Sequence, residues 1–212
     1  MEINKRQINV FIGPSGSKKI ECLKKYVKTR KLNIFNDQNL NKKISEIFDI
    51  KKGKVLKSLE MVGLSSIDVN KKLKDLTTNE LKRLDIANEI SSKKDNYIFL
   101  HPEVGLDDKN RDNLIIIFRM LKNRYHKTII IVSSDSDWVH KFADFLFVVY
   151  NGNVVYSGTT YDVFCNDEIC EKYKLCIPQI IKFEKLVLEK KNKRLGFRNE
   201  INDLIKDIYR NI

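Results

Sequence analysis

The stretch Val10-Phe11-Ile12-Gly13-Pro14-Ser15-Gly16-Ser17-Lys18-Lys19-Ile20 has the residue types and spacing of a chemical device. An apolar run from Ile8 to Ile12 gives way to a Gly/Ser/Pro turn, and a lysine-rich amphipathic stretch follows. That order predicts a strand, a glycine-rich loop and a helix. In such a setting backbone N–H groups and a lysine cradle phosphates. The full pattern is G-x-x-x-x-G-K-[S/T]. Gly13 opens it and Lys19 fills the lysine position. Lys18 stands where the second glycine belongs, and Ile20 stands where a hydroxyl would hold Mg²⁺.

The remaining elements must position that loop. Glu21 to Thr29 reads as a helix, and Leu32 to Phe35 as a short second strand. Asn36 to Asn41 is polar and loop-like. From Lys42 to Lys74 the apolar spacing is helical, with Gly63 as a stop. Leu76-Thr77-Thr78-Asn79-Glu80 opens another helix, with Thr78 or Asn79 as the expected cap and Leu81, Leu84, Ile86, Ala87 and Ile90 on its buried side. Tyr97 to Leu100 and Thr128 to Ser133 are apolar runs of the kind found in buried parallel strands. Between them a helix is expected from Asp108 to about Lys122. A short helix up to Ala143 precedes a strand from Phe145 to Tyr150. Asn151-Gly152-Asn153 turns that strand into a hairpin with Val154 to Ser157. Alternating strands and helices predict an α/β domain with a mainly parallel sheet. Tyr161 onward reads as a helical appendage.

Composition narrows the function classes only partly. The 212 residues are 42% hydrophobic, enough for one substantial core or one domain with an appendage. Lys and Arg number 40 against 28 Asp and Glu, a formal net charge of +12 spread along the whole chain. Such a spread describes a solvated lysine-rich surface, which also attracts anionic partners. The charged N-terminus runs straight into a strand, so no signal peptide is expected. The longest apolar runs are too short to span a bilayer, which predicts a cytoplasmic protein. Cys22, Cys165, Cys170 and Cys176 fit reduced thiols. The last three cluster without a C-x-x-C pair or a nearby histidine, which argues against a metal site.

The order and spacing of these motifs resemble the ATPase subunits of ABC transporters, and most closely those of energy-coupling-factor (ECF) importers. The resemblance rests on Gly13 to Lys19, Leu59 to Leu64, Leu76 to Ala87, Tyr97 to Asp107 and Lys127 to Phe164. Leu175-Cys176-Ile177-Pro178-Gln179 and the helix after it resemble the C-terminal extension of ECF ATPases. The resemblance implies a P-loop NTPase-like domain over residues 1–160, with 42–92 as a shortened helical subdomain, and a helical extension over 161–212. Only a dozen residues precede Gly13, so the family's antiparallel β-layer with its adenine-stacking aromatic is expected to be missing.

Residue by residue, the resemblance implies a degenerate site. Gly13, Pro14, Ser15, Gly16, Ser17, Lys18, Lys19 and Ile20 form a nucleotide- or phosphate-binding remnant. The Walker B aspartate position reads Leu100, and His101 replaces the glutamate that polarises water. Glu103 is a displaced alternative base. Ser134 occupies the switch-histidine position. The Q-loop glutamine aligns with Asn36, or with Gln38 if the loop is shifted. Thr77, Thr78, Asn79 and Glu80 replace the last four residues of L-S-G-G-Q, and Gly105-Leu106-Asp107 keeps the D-loop pattern, with Asp107 or Asp108 as a helix cap. The resemblance thus implies weak ATP binding without Mg²⁺. It also implies a homologous ATPase subunit as partner, in a homo- or heterodimer, and a membrane transporter component that would place the chain on the inner face of the membrane. Three readings follow. They are a pseudo-ATPase with a structural or regulatory role, a slow ATPase completed by its partner, and an anion- or nucleic-acid-binding module. Nucleic acid is disfavoured, because no reader motif or interleaved aromatics accompany the basic residues.

Overall fold

The computed structural model of the protein describes residues 2–27, 40–47, 54–92, 94–193, 195–198 and 201–211. The expected strand Leu32 to Phe35 and both Q-loop candidates, Asn36 and Gln38, lie outside the described residues. Among those described, five strands form one sheet, in the order Asn96–Leu100, Thr128–Ser133, Ile8–Ile12, Phe145–Tyr150 and Asn153–Gly158, numbered β1 to β5 in chain order. Two compact units divide the chain, Met1–Tyr26 with Val132–Ile212, and Val27–Ile131.

In the first unit, β1 (Ile8–Ile12) is buried along its whole length. Such a run needs cover on both faces, which is why it carries no polar alternation. It pairs in parallel with β4 (Phe145–Tyr150), with Val10 opposite Leu146 and Phe11 opposite Phe147. The Phe11 and Phe147 rings lie 5.0 Å apart. Asp144 fixes the start of this pairing, since its carboxylate accepts from the Ile8 N–H at 2.8 Å. β4 turns back antiparallel into β5 (Asn153–Gly158) through Asn151 and Gly152, at φ 49° and 74°. Two successive left-handed residues match the twist of a two-residue hairpin.

Helices complete this unit. α1 (Lys19–Lys24) follows the first loop, shorter than its sequence pattern suggests. α6 (Ser136–His140) is capped by Asp135, and α7 (Thr160–Phe164) by a Thr159–Asp162 capping box. α8 (Asp167–Lys172), α9 (Gln179–Lys191) and α10 (Ile201–Asn211) follow. Val187, Leu195 and Leu204 form a small core there, and Arg198 holds Asp207 at 2.6 Å.

The second unit contains α2 (Ile44–Ile47), α3 (Lys54–Met61), α4 (Thr78–Ser91), β2 (Asn96–Leu100) and α5 (Asp108–Asn123). β3 (Thr128–Ser133) begins in it. The helical reading of Lys42 to Lys74 ends where expected, at Gly63, and is corrected beyond it. Past Met61 the chain turns at Gly63, φ 70°, and Arg83 donates to the Val62 and Gly63 carbonyls. Asp68 then accepts from the Asn70 N–H at 2.9 Å. Such local side-chain bonds compete with the helical ladder, and only a 3₁₀ turn at Leu73–Asp75 forms before α4. Glu89 ties α4 to β2 by accepting from the Ile98 N–H at 3.1 Å. Phe99 packs on Phe118 of α5, with centroids 5.0 Å apart. Among the described residues no helix is long and apolar enough to cross a membrane.

Candidate functional site

The phosphate-type loop lies in the first unit, between β1 and α1. Gly13 is required by packing: a Cβ there would sit 2.3 Å from the Val149 carbonyl oxygen. Gly16 takes φ 79°. Lys18 caps α1 in the left-handed region, at φ 59° and ψ 41°. That conformation costs an L-residue roughly 1–2 kcal/mol. The backbone thus keeps a glycine-type geometry at a position where the sequence supplies lysine.

Lys19 is 6% exposed. Its ammonium donates to the Gly13 carbonyl at 3.0 Å, the Pro14 carbonyl at 2.9 Å and the Ser17 hydroxyl at 3.3 Å. The lysine is therefore wrapped by its own loop. The β4–β5 hairpin fastens that loop from outside. Gly152 N–H donates to the Ser17 carbonyl at 2.8 Å. Lys25 Nζ donates to the Gly152 carbonyl at 2.7 Å and to Asn153 Oδ1 at 3.0 Å. Ser15, Gly16 and Lys18 are exposed, Pro14 and Ile20 are half-buried, and Ser17 is buried. Ser134 follows β3 directly, half-buried, just ahead of the α6 cap.

The signature and D-loop positions lie in the second unit, and the structure brings them together. Thr77 is the cap of α4, not Thr78 or Asn79. Its hydroxyl accepts from the Glu80 N–H at 3.2 Å. Glu80 reaches back to the Thr77 N–H at 2.8 Å and hydroxyl at 2.9 Å. Thr77 has the extended backbone a cap needs and places its hydroxyl three residues from Glu80, the capping-box spacing. The Thr77 bonds hold the Glu80 carboxyl below the usual range. Asn79 donates to Asp107 at 3.0 Å. Asp107 caps α5, and Asn110 supplies its backbone N–H at 2.8 Å and its side-chain amide at 2.8 Å to the other oxygen. These Asn110 bonds, and then Asn79, lower the Asp107 carboxyl. Gly105, φ 83°, brings the D-loop so close that a Cβ would lie 3.1 Å from Thr78 Cγ2. Leu106 is half-buried, its N–H on the Glu103 carbonyl.

At the end of β2, Leu100 is half-buried. His101 takes a left-handed φ of 46° and closes a turn by accepting from the Val104 N–H. Its Nδ1 lies 3.8 Å from Glu103 Oε1, and Glu103 is buried. Two residues of α4 fall outside the motif reading. Lys82 donates to the Leu100 carbonyl at 3.1 Å. Asp85, one turn on, is pushed by burial up to about 6. The signal was an acid inside the run Leu84-Asp85-Ile86-Ala87, three residues after a lysine.

This architecture is that of the ATP-binding cassettes of ABC transporters. An ABC cassette in its ADP conformation superposes with a TM-score of 0.63 at 18% identity, covering 81% of this chain and 89% of that one. CbiO1 of Clostridium perfringens, part of the ABC transporter complex cbiONQ, gives 0.63 at 18%, covering 87% and 90%. Within that class, the sequence is similar to the energy-coupling-factor transporter ATP-binding proteins EcfA2. It is 35% identical to that of Clostridium perfringens over 149 residues, covering 70% of this chain and 51% of the relative. It is 32% identical to that of Clostridium acetobutylicum over 157 residues, covering 74% and 51%. The chain thus spans about half the length of these curated relatives. No family model matches the sequence.

Proposed function

We propose that the chain is an ECF-type ATP-binding subunit impaired in hydrolysis, with a structural or regulatory role beside a homologous ATPase and a membrane transporter component. It then works at the inner face of the membrane through that component. In this reading residues 1–160 form the cassette, with 42–92 as a reduced helical subdomain, and 161–212 form the extension. One observation carries the reading: the signature groups are engaged within their own chain. Glu80 is bound to Thr77 and Asn79 to Asp107. Groups so engaged must break those bonds before they meet a facing subunit's nucleotide. Glu80 would also bring a negative charge towards a polyanion.

Mg²⁺ does not fit the side chains at the two positions that would tie it. It demands oxygen ligands, and Ile20 and Leu100 supply hydrocarbon. Among the described residues no group of three or more His, Cys, Asp or Glu comes together as a metal set. What remains is a lysine-bearing loop for a phosphate-bearing ligand such as ATP, held weakly.

ATP turnover with Mg²⁺, measured on the chain alone and mixed with a homologous ATPase, is the test. No turnover attributable to this chain is expected, and turnover abolished by Lys19→Ala overturns the proposal. Calorimetric titration of ATP should show little gain in affinity on adding Mg²⁺. Restoring Ile20→Ser, Leu100→Asp and His101→Glu together should not give an efficient enzyme, because Ser134 and the Thr77–Glu80 cap remain.

A further inference from the structure

His140, at the end of α6, is 1% exposed and has no part in the nucleotide reading. Its ring stands T-shaped to two aromatics, Phe164 of α7 at 6.1 Å and Phe197 at 5.0 Å between centroids. Its Nε2 lies 2.6 Å from the Arg198 carbonyl oxygen. A carbonyl only accepts, so Nε2 carries the proton and donates. In the neutral ring Nδ1 is then bare. Nδ1 is buried and has no hydrogen-bond partner among the described residues. A second proton there would be a buried charge without an acceptor.

The bond to Arg198 ties residues 195–198, between α9 and α10, onto α6. Leu195 joins the core of Val187 and Leu204. The Arg198 N–H donates to Glu184 of α9 at 3.2 Å, and the Arg198 guanidinium to Asp207 of α10 at 2.6 Å.

We propose that His140 is an acid-sensitive latch: neutral, it holds residues 195–198 onto α6, and protonated at Nδ1 it releases them. The latch does not depend on what the phosphate-type loop binds.

Burial pushes the imidazole below its ordinary 6.5, opposed by its bond to the Arg198 carbonyl and by Asp137. Asp137, on α6, already accepts the Gln179 N–H of α9 at 2.6 Å. The acids on the other surrounding elements are engaged too: Glu184 and Asp207 with Arg198, and Asp162 of α7 with Thr159. Lys141 lines the same cavity as His140 and brings no negative charge. The released ring therefore binds a proton more tightly than the held one. Release is suppressed above 6.5 and grows as pH falls below it, by up to about tenfold per pH unit, until the held ring also titrates.

Amide hydrogen exchange across residues 195–198 of the full chain, without nucleotide and corrected for the intrinsic effect of pH, tests this. Wild-type protection should be level above neutrality and fall several-fold between about pH 6.5 and 5.5. His140→Gln keeps a donor for the Arg198 carbonyl but cannot take the charge, so its protection should stay level over the same range. Glu184→Gln removes the titration of the acid bound to the same turn and should leave the wild-type pH dependence in place. An NMR titration of the His140 ring needs no variant. Its midpoint should lie below 6.5 and coincide with the loss of protection. Wild-type protection that does not change with pH overturns the latch. So does a pH dependence that survives in His140→Gln or vanishes in Glu184→Gln, or a His140 ring that titrates at or above its ordinary value.

Discussion

The phosphate-type loop and the stretch from Thr77 to Glu80 are held in different ways. In the loop, backbone geometry sets the constraint. Gly13 still admits the Val149 carbonyl, and Lys18 still takes the left-handed turn of a glycine. From Thr77 to Glu80, side chains bond to one another and to the next helix start. Thr77 and Glu80 close a capping box, and Asn79 joins the Asp107–Asn110 cap of α5. One region carries backbone strain at Lys18, and the other gains local stability from its side chains. A loop that cradles a ligand is constrained by the strand beneath it. A helix start can be rebuilt from its own four residues.

Three variants press on this contrast. Gly13→Ala should have the largest effect, a loss of about 3 kcal/mol in denaturant unfolding, because the Cβ meets backbone oxygen and not a yielding side chain. A near-neutral result would break the claim that the loop is held by β4. Thr77→Ala should cost about 1 kcal/mol. That cost has a pH signature. Thr77 holds the Glu80 carboxyl below its ordinary value of 4.5, so the associated stability is present above that value. It is lost as pH falls through the lower, folded-state value. The gap between wild type and Thr77→Ala should therefore narrow in acid, and a gap unchanged in acid would show that Glu80 takes no part. Lys18→Gly should have the smallest effect, a gain of about 0.5–1 kcal/mol from relieved backbone strain, partly offset by the greater freedom of unfolded glycine. A loss instead would mean that the lysine side chain contributes more than its backbone costs.

The sequence carried the strands well because their signal is local. Ile8 to Ile12, Thr128 to Ser133 and Phe145 to Tyr150 are apolar runs bounded by polar turns, and each forms the strand it suggests. Asp107 could be read as a cap from its place before a helical pattern. Beyond Gly63 the stretch up to Lys74 departs from its helical reading, because apolar spacing is blind to competing side-chain bonds such as that of Asp68 with Asn70. In the site, motif spacing located the loop and the signature stretch without disclosing their bonding. That Glu80 turns back on Thr77 is implicit in the Thr-x-x-Glu spacing, which lies inside the longer motif. Lys82 was invisible because its partner is a backbone carbonyl eighteen residues away, and no side-chain pattern records that contact.

The fastening of the loop to the β4–β5 hairpin has a practical consequence. The Gly152 amide proton is bound to the Ser17 carbonyl, and the Gly152 carbonyl to Lys25. Gly152 belongs to neither β1, the loop nor α1, yet both of its peptide groups register the state of the loop. Its amide resonance is a built-in gauge that can be read during titration of any anion without a label on the loop itself. Asn153, whose side chain shares Lys25, offers a second reading on the same dial.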